Sequence, residues 1–109
     1  MTSSFQFDPN QFKMGQRQSW DSVAQGWRMW WEPIEKGSQK LSNRLVELAE
    51  IKPGQRVLDI ATGIGEPAMT AAKLVGSRGH VIATDISAQM LAIAKERAAY
   101  MGMQNIVQS

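Results

Sequence analysis

The sequence predicts an α/β fold in which short apolar strands alternate with helices to form a parallel sheet. Strand-like segments occupy residues 56–61, 80–84 and 105–108, and a glycine-rich turn follows the first strand. Helix-like segments lie between them at about residues 67–75 and 88–101, the second with Ser87 as its N-cap. Because such crossovers are right-handed, this βαβαβ unit is expected to have the strand order 3-2-1. We expect it to be the N-terminal half of a doubly wound parallel sheet.

The composition excludes several classes of functional site. The chain has 109 residues, with twelve Lys and Arg, ten Asp and Glu, one histidine and no cysteine. Without cysteine there is neither a disulfide framework nor a thiolate metal site. A single histidine, His80, argues against a histidine zinc site or a Ser-His-Asp triad, so we predict no metal and interpret His80 as a surface or packing residue.

Charge and hydropathy indicate the expected partners and location. Residues 1–50 hold six charges of each sign, whereas residues 51–109 hold six basic and four acidic residues. Because no basic block is present, we expect no nucleic-acid partner. No apolar run approaches the roughly 20 residues that cross a bilayer, and the N-terminus lacks a signal-peptide pattern. We therefore expect a soluble, cytoplasmic protein without a transmembrane segment.

The N-terminal part of the chain differs from the rest in aromatic content. Seven of the eight aromatic residues lie within the first 31 residues. Residues 1–18 are mostly polar, which indicates a flexible N-terminal arm. Residues 19–52 are predicted to form two helices, the first with Ser19 as its N-cap and its end at Pro33, since the residue before a proline avoids the helical region.

The first predicted helix carries a cluster of tryptophans. Four of them, Trp20, Trp27, Trp30 and Trp31, fall within twelve residues. Amphipathic spacing alone favours packing in a core. However, the cluster has more aromatic surface than its predicted neighbours could readily cover, so a lid over a ligand or substrate is the second hypothesis.

Residues 53–109 contain the motif that points to a ligand. Residues 63–68 read G-I-G-E-P-A and fit the pattern G-x-G-x-x-G/A between a strand and a helix, and Asp85 follows twenty residues after Gly65. Glycines let the backbone approach a ligand, the helix N-terminus offers free N–H groups, and the carboxylate can accept both hydroxyls of a ribose. The alternatives are a tight turn without a ligand, and Asp85 as a helix-capping acid.

Two carboxylates beside the turn favour a ligand with a cationic end. Asp59 lies four residues before Gly63, and Glu66 lies in the opening turn of the next helix. Their negative charge would repel the pyrophosphate of a dinucleotide and attract a cation. S-adenosyl-L-methionine has this pattern, with a sulfonium and an α-ammonium at one end and a ribose at the other. A hydrogen-bonded carboxylate at the strand end is the alternative role for Asp59.

These motifs resemble those of the class I S-adenosyl-L-methionine-dependent methyltransferases of the UbiE/COQ5-like, or type 11, group. Residues 57–65, V-L-D-I-A-T-G-I-G, resemble motif I, and residues 85–91, D-I-S-A-Q-M-L, resemble the second motif, D-x-S-x-x-M-L. The resemblance covers about residues 20–108 and implies a Rossmann-like fold with S-adenosyl-L-methionine as the cofactor. It implies that residues 19–52 cover the cofactor as an aromatic lid.

The resemblance implies roles for individual residues. The methionine part of the cofactor would be lined by Asp59, Gly63, Ile64 and Gly65. Asp85 would hold the ribose hydroxyls, and the adenine would pack on Ile86 and on Met90, which is otherwise a core residue. Ala61 stands where glycine is more usual. The predicted cofactor-binding set is Asp59, Ala61, Thr62, Gly63, Ile64, Gly65, Asp85, Ile86, Ser87 and Met90.

The resemblance also implies a longer protein with more strands than the three predicted here. The first strand would then have an unpaired edge, which favours pairing with another chain. We expect a fragment, or one half of an assembly, that self-associates or pairs with a C-terminal half through this edge. Residues 53–109 would be the truncated cofactor-binding half.

The leading functional hypothesis is a methyltransferase acting by in-line displacement on a small acceptor that is quinone-like or otherwise lipophilic. We name no catalytic residue, because positioning and desolvation provide most of the acceleration in such a displacement. The chain alone is expected to be inactive, since the acceptor side of the pocket is missing. The alternatives are a fragment of an NAD(P)-dependent oxidoreductase and a non-catalytic interaction module.

Overall fold

A computed structural model describes residues 6–109, in which three helices and three strands alternate. The elements are α1 (Pro9–Leu48), β1 (Arg56–Ile60), α2 (Ala68–Val75), β2 (His80–Thr84), α3 (Ala88–Tyr100) and β3 (Ile106–Gln108). The predicted α/β class is confirmed. The three strands and the two short helices lie within one or two residues of their predicted positions.

The three strands form a parallel sheet in the order β1-β2-β3. Val57 is paired with Val81, and Val81 is paired with Ile106. In a parallel sheet the carboxyl ends of neighbouring strands meet at one edge. The loop after β1 and the loop after β2 therefore lie side by side.

The core lies between α2 and one face of the sheet. Six of the eight residues of α2 are buried, and Val81 and Ala83 of β2 are fully buried. The helix approaches the chain before β2 so closely that a Cβ atom at Gly79 would lie 2.2 Å from the Cβ of Val75. A glycine at this position is required by the close packing.

The opposite face of the sheet is apolar and exposed among the described residues. Side chains alternate along each strand, so those that do not face α2 point to this second face. Leu58 is 58% exposed and Ile60 is 73% exposed, and Ile82 and Val107 lie on the neighbouring strands.

The N-terminal part of the structure differs from the prediction of a flexible arm. Helix α1 begins at Pro9, with Asp8 as its N-cap: the N–H groups of Asn10 and Gln11 donate to Asp8 Oδ1 at 2.9 and 3.4 Å. Proline suits the first helical position because its missing N–H has no partner there in any case. Residues 1–5 of the predicted arm lie outside the described residues, and for residues 9–18 the prediction is wrong.

The predicted helix boundaries at Ser19 and Pro33 are also wrong, because α1 is one helix of 40 residues with Pro33 in its interior. An interior proline costs about 3 kcal/mol. Contacts on both sides of the proline offset this cost: Trp31 and Glu35 both contact Arg97 of α3. The two predicted helices are therefore a single element held by tertiary contacts.

Helix α1 runs along the whole molecule. At about 1.5 Å per residue it is roughly 60 Å long, which matches the longest dimension of 61 Å. Only Ala24, Ser42 and Val46 of α1 are buried, so the helix lies on the surface of the α2–α3 layer. Among residues 6–109, no helix combines the length and apolar character needed to span a membrane.

Glycines inside α1 provide a test of this single-helix structure. A Cβ atom at Gly37 would meet no atom within 4 Å. Gly37→Ala should therefore increase the free energy of unfolding by about 1 kcal/mol, since alanine favours helix more than glycine. Thermal denaturation followed by circular dichroism measures this change.

The control is Gly79→Ala, which should lower the melting temperature because its Cβ would collide with Val75. If Gly37→Ala lowered the melting temperature, residue 37 would not lie in a helix.

Candidate functional site

A cavity of about 530 Å³ lies between α1 and the carboxyl ends of β1 and β2. Cavities that bind small molecules are typically about 300–1,000 Å³. Its wall consists of residues 61–67 after β1, which we call the glycine loop, the loop after β2 and the inner face of α1. The residues that line it are Trp20, Trp27, Trp31, Ile34, Glu35, Ser38, Leu41, Ser42, Leu45, Ala61, Thr62, Gly63, Ile64, Glu66, Pro67, Asp85, Ile86, Met90 and Arg97.

Most of the residues predicted as a site come together around this cavity. Seven of the cofactor-binding set line it, namely Ala61, Thr62, Gly63, Ile64, Asp85, Ile86 and Met90. Trp20, Trp27 and Trp31 line it from α1, whereas Trp30 lies in a separate groove with Val23 and Pro33. Asp59, Gly65 and Ser87 are not part of the cavity wall, but each is hydrogen-bonded to a residue that is: Asp59 and Gly65 to Thr62, and Ser87 to Met90.

The backbone of the glycine loop turns back through left-handed conformations. Ala61, Gly63 and Gly65 have φ values of 62°, 61° and 115°. At Ala61 this conformation costs about 1–2 kcal/mol, because the Cβ crowds the carbonyl oxygen. The Thr62 N–H donates to the Thr84 carbonyl at 2.8 Å, which fixes the loop to the end of β2.

Asp59, near the end of β1, stabilises the glycine loop through hydrogen bonds. Its Oδ2 accepts a hydrogen bond from Thr62 Oγ1 at 2.7 Å and another from the Ala68 N–H, the first of α2, at 3.1 Å. Burial raises the pKa of Asp59, the two hydrogen bonds lower it, and the charge of Asp85 raises it further. Asp59 thus joins β1, the loop and the beginning of α2.

Asp85 joins the two loops of the site. Its Oδ2 accepts from the Gly63 N–H at 2.8 Å, and its Oδ1 accepts from the Ser87 N–H at 2.9 Å. A carboxylate has about four acceptor positions. Both oxygens of Asp85 therefore keep acceptor capacity for a ligand in the cavity.

Ser87 connects α3 to α1. Its Oγ accepts from the Met90 N–H at 3.1 Å, which confirms the predicted N-cap, and donates to Oδ1 of Asp21 in α1. Arg17 Nε donates to the Ile86 carbonyl at 3.2 Å. Sequence reasoning missed Asp21 and Arg17, because only the packing of α1 brings them to this loop.

Arg97 connects α1, α3 and the glycine loop, although it is only 6% exposed. Its Nη1 donates to the Ile64 carbonyl at 2.6 Å, and its Nη2 lies 2.7 Å from Glu35 Oε1. Its Cζ lies 4.4 Å from the ring centroid of Trp31, a cation–π distance. Sequence reasoning missed this residue. The sequence pattern that could have identified Arg97 is its helical spacing from Ile93 and Ala94, which places an arginine on the apolar face of α3.

Glu66 is a third carboxylate in the cavity wall, beside Glu35 and Asp85. Its Oε2 accepts from Thr70 Oγ1 at 2.7 Å, and Thr70 Oγ1 accepts from Gln39 Nε2 at 3.1 Å. Burial raises the pKa of Glu66, the hydrogen bond from Thr70 lowers it, and the charge of Glu35 raises it.

The arrangement suits a nucleoside with a cationic end. Tryptophan and aliphatic side chains offer stacking surfaces, Asp85 offers acceptors for hydroxyl groups, and carboxylates outnumber cations in the wall by three to one. Among residues 6–109, no group of His, Asp and Glu side chains is arranged to hold a metal ion.

Curated proteins named as ubiquinone/menaquinone biosynthesis C-methyltransferases are similar to this chain. Over 88 residues the chain is 35% identical to the ubiquinone/menaquinone biosynthesis C-methyltransferase UbiE of Ectopseudomonas mendocina; the match covers 80% of this chain and 34% of that protein. The chain thus spans about a third of the length of the curated relatives it matches.

Solved structures of methyltransferases share the fold. A protein-L-isoaspartate O-methyltransferase matches with a TM-score of 0.59 and 29% identity, over 63% of this chain and 22% of the other. A SAM-dependent methyltransferase from Aquifex aeolicus matches with a TM-score of 0.57 and 30% identity, over 62% of this chain and 37% of the other.

The family assignment rests on a match that extends over most of the chain. It includes α1 from residue 17 onward, the glycine loop, Asp85 and all three strands. Residues 17–108 match the model of the ubiE/COQ5 methyltransferase family, and the chain belongs to that family.

Proposed function

We propose that this chain is the cofactor-binding portion of an S-adenosyl-L-methionine-dependent methyltransferase. The observation that supports the proposal most directly is the cavity under α1, which is lined by the glycine loop, by Asp85 and by three tryptophans of α1, Trp20, Trp27 and Trp31. Membership of the ubiE/COQ5 methyltransferase family supports the same cofactor. The three strands would then be the N-terminal half of a Rossmann-like, doubly wound sheet.

The residues of the cavity fit this cofactor. Asp85 would accept the ribose hydroxyls with the acceptor capacity that its two backbone bonds leave free. The adenine would pack on Ile86 and Met90, and the methionine part would lie along the glycine loop. Asp59, Gly65 and Ser87 would contribute indirectly, by holding the loop and the beginning of α3.

The chain's contribution to catalysis is positioning and exclusion of water. When bound, the cofactor supplies a methyl group on a cationic sulfur, and the sulfur leaves as a neutral thioether. Since no charge has to be created in such an in-line displacement, a rigid and dry cavity provides most of the acceleration. Trp27 and Trp31 would exclude water on the α1 side, and Arg97 would fix Trp31 and the Ile64 carbonyl in place.

We propose a small, lipophilic, quinone-like acceptor. Trp20, Trp27, Ile34, Leu41 and Leu45 give the α1 side of the cavity an apolar wall that continues into exposed surface. The ubiquinone/menaquinone name of the relative agrees with an acceptor of this kind. The chain alone would bind the cofactor without measurable turnover.

The free edge of β1 and the exposed sheet face beside it would be pairing surfaces. Leu58 and Ile60 are more than half exposed there, and an unpaired apolar strand favours association through its edge. We propose that the chain associates with a second copy or with a separate C-terminal half through this region.

Calorimetric titration with S-adenosylhomocysteine and with NADH tests the cofactor. We expect S-adenosylhomocysteine to bind and NADH to give no binding heat, because the carboxylates of the cavity would repel a pyrophosphate. Binding of NADH alone would favour an oxidoreductase, and binding of neither ligand would favour a non-catalytic module.

Asp85→Asn tests the ribose contact. An amide loses one of the two acceptor oxygens, so the affinity for S-adenosylhomocysteine should fall about tenfold. Glu96→Gln, an exposed position on α3, is the matched control and should leave the affinity unchanged. Unchanged affinity in Asp85→Asn would exclude the proposed ribose contact.

Light scattering during size-exclusion chromatography tests the association. We expect a dimer or larger species, and Ile60→Lys should shift it toward monomer, because a charge on the exposed strand opposes apolar pairing. A strictly monomeric wild-type chain that melts cooperatively would contradict this proposal.

A further inference from the structure

The three carboxylates of the cavity wall differ in how their charges are compensated. Glu35 is paired with the guanidinium of Arg97 at 2.7 Å. Asp85 accepts hydrogen bonds from two backbone N–H groups. Glu66 accepts hydrogen bonds from the neutral hydroxyls of Thr70 and Ser42 and from the Thr70 backbone N–H. Among the described residues, Glu66 is therefore the cavity carboxylate that has no cation as a partner and is not assigned to the ribose.

Asp59, the acidic residue of motif I, is placed differently. It is not part of the cavity wall, and its Oδ2 already accepts from Thr62 Oγ1 and from the Ala68 N–H. Both donors belong to the loop and to the beginning of α2. Asp59 therefore stabilises the loop whether or not a ligand is bound.

Resting on the proposed function, we propose that Glu66, rather than Asp59, is the side chain that accepts the α-ammonium group of the cofactor. Asp85 follows β2, whereas Glu66 precedes α2, so the two carboxylates lie at different ends of the glycine loop. A ligand with its ribose at Asp85 and its amino acid part along the loop presents its positive end to Glu66.

A chain of hydrogen bonds orients the Glu66 carboxylate. Gln39 Nε2 of α1 donates to Thr70 Oγ1 at 3.1 Å, and Thr70 Oγ1 donates to Glu66 Oε2 at 2.7 Å. Thr70 is buried, and Gln39 also donates to Asn43 Oδ1 at 3.0 Å. The remaining acceptor positions of the carboxylate stay available to the cavity.

The electrostatic environment of Glu66 favours a bound cation. Glu35 of α1 is the charged group that faces it, and the charge of Glu35 is itself shared with Arg97 of α3. A partly buried carboxylate without a charged partner destabilises the folded protein. An ammonium group in the cavity would remove that cost, whereas a neutral ligand would not.

Two nucleosides that differ only in the amino acid part test this assignment. S-adenosylhomocysteine carries the ammonium, and 5′-methylthioadenosine lacks it. Calorimetry should show that Glu66→Gln lowers the affinity for S-adenosylhomocysteine about tenfold and leaves the affinity for 5′-methylthioadenosine unchanged. Only S-adenosylhomocysteine loses a charge-assisted hydrogen bond in this variant. The matched control, Asp59→Asn, should leave the ratio of the two affinities at its wild-type value.

Thermal denaturation without ligand shows whether the variant is folded and whether the ionised Glu66 carboxylate destabilises the folded protein. Because its pKa is raised above 4.5 in the folded state, ionised Glu66 lowers stability increasingly as the pH rises through that region. Glu66→Gln should therefore melt at or above the wild-type temperature at pH 7, and its advantage should shrink toward pH 4.5.

Each outcome decides the proposal. The assignment of Glu66 would be overturned if Glu66→Gln lowered the affinity for both nucleosides equally, or did not lower the affinity for S-adenosylhomocysteine. The proposal that the chain binds this cofactor would still stand. If Asp59→Asn lowered the affinity for S-adenosylhomocysteine more than that for 5′-methylthioadenosine, the ammonium contact would be assigned to Asp59 instead. If the wild type bound neither nucleoside, the proposed function would fail and this assignment with it.

Discussion

The buried guanidinium of Arg97 holds together the three parts of the molecule that enclose the cavity. It contacts the Ile64 carbonyl of the glycine loop and the Glu35 carboxylate and Trp31 ring of α1. Removing one partner of a buried ion pair typically costs about 3–5 kcal/mol, since the other charge stays buried. Helix α1 buries only three of its side chains, and this contact is one of several polar contacts that hold it on the α2–α3 layer.

Hydrogen bonds to two aspartates offset the strain in the glycine loop. Ala61 is held at a φ of 62°, where an alanine is unfavourable. Asp59 fixes the loop to the beginning of α2, and Asp85 fixes Gly63 beside the loop after β2. The loop is therefore held by hydrogen bonds within the chain itself, so a ligand bound there would need little of its binding free energy to order the loop.

Local signals predicted the strands, α3 and the glycine loop, since apolar runs, the Ser87 cap and glycines act on their nearest neighbours in sequence. The extent of α1 could not be predicted, because the local preference at Pro33 is outweighed by contacts with Arg97, more than sixty residues away. The start at Asp8-Pro9 had a local signal, a capping acid before proline. Spacing placed Asp59 and Glu66 beside the loop, but only the structure shows which of them faces the cavity.

The continuity of α1 has a kinetic consequence. One rigid helix forms a whole wall of the cavity and is attached at Asp21, at Trp31 and Glu35, and at Gln39. A flexible loop opens a few residues at a time, but a rod attached along its length has to release several contacts together. Opening of the cavity through this wall would therefore require these contacts to be released together, and a ligand that entered by that route would be renewed no faster than α1 opens.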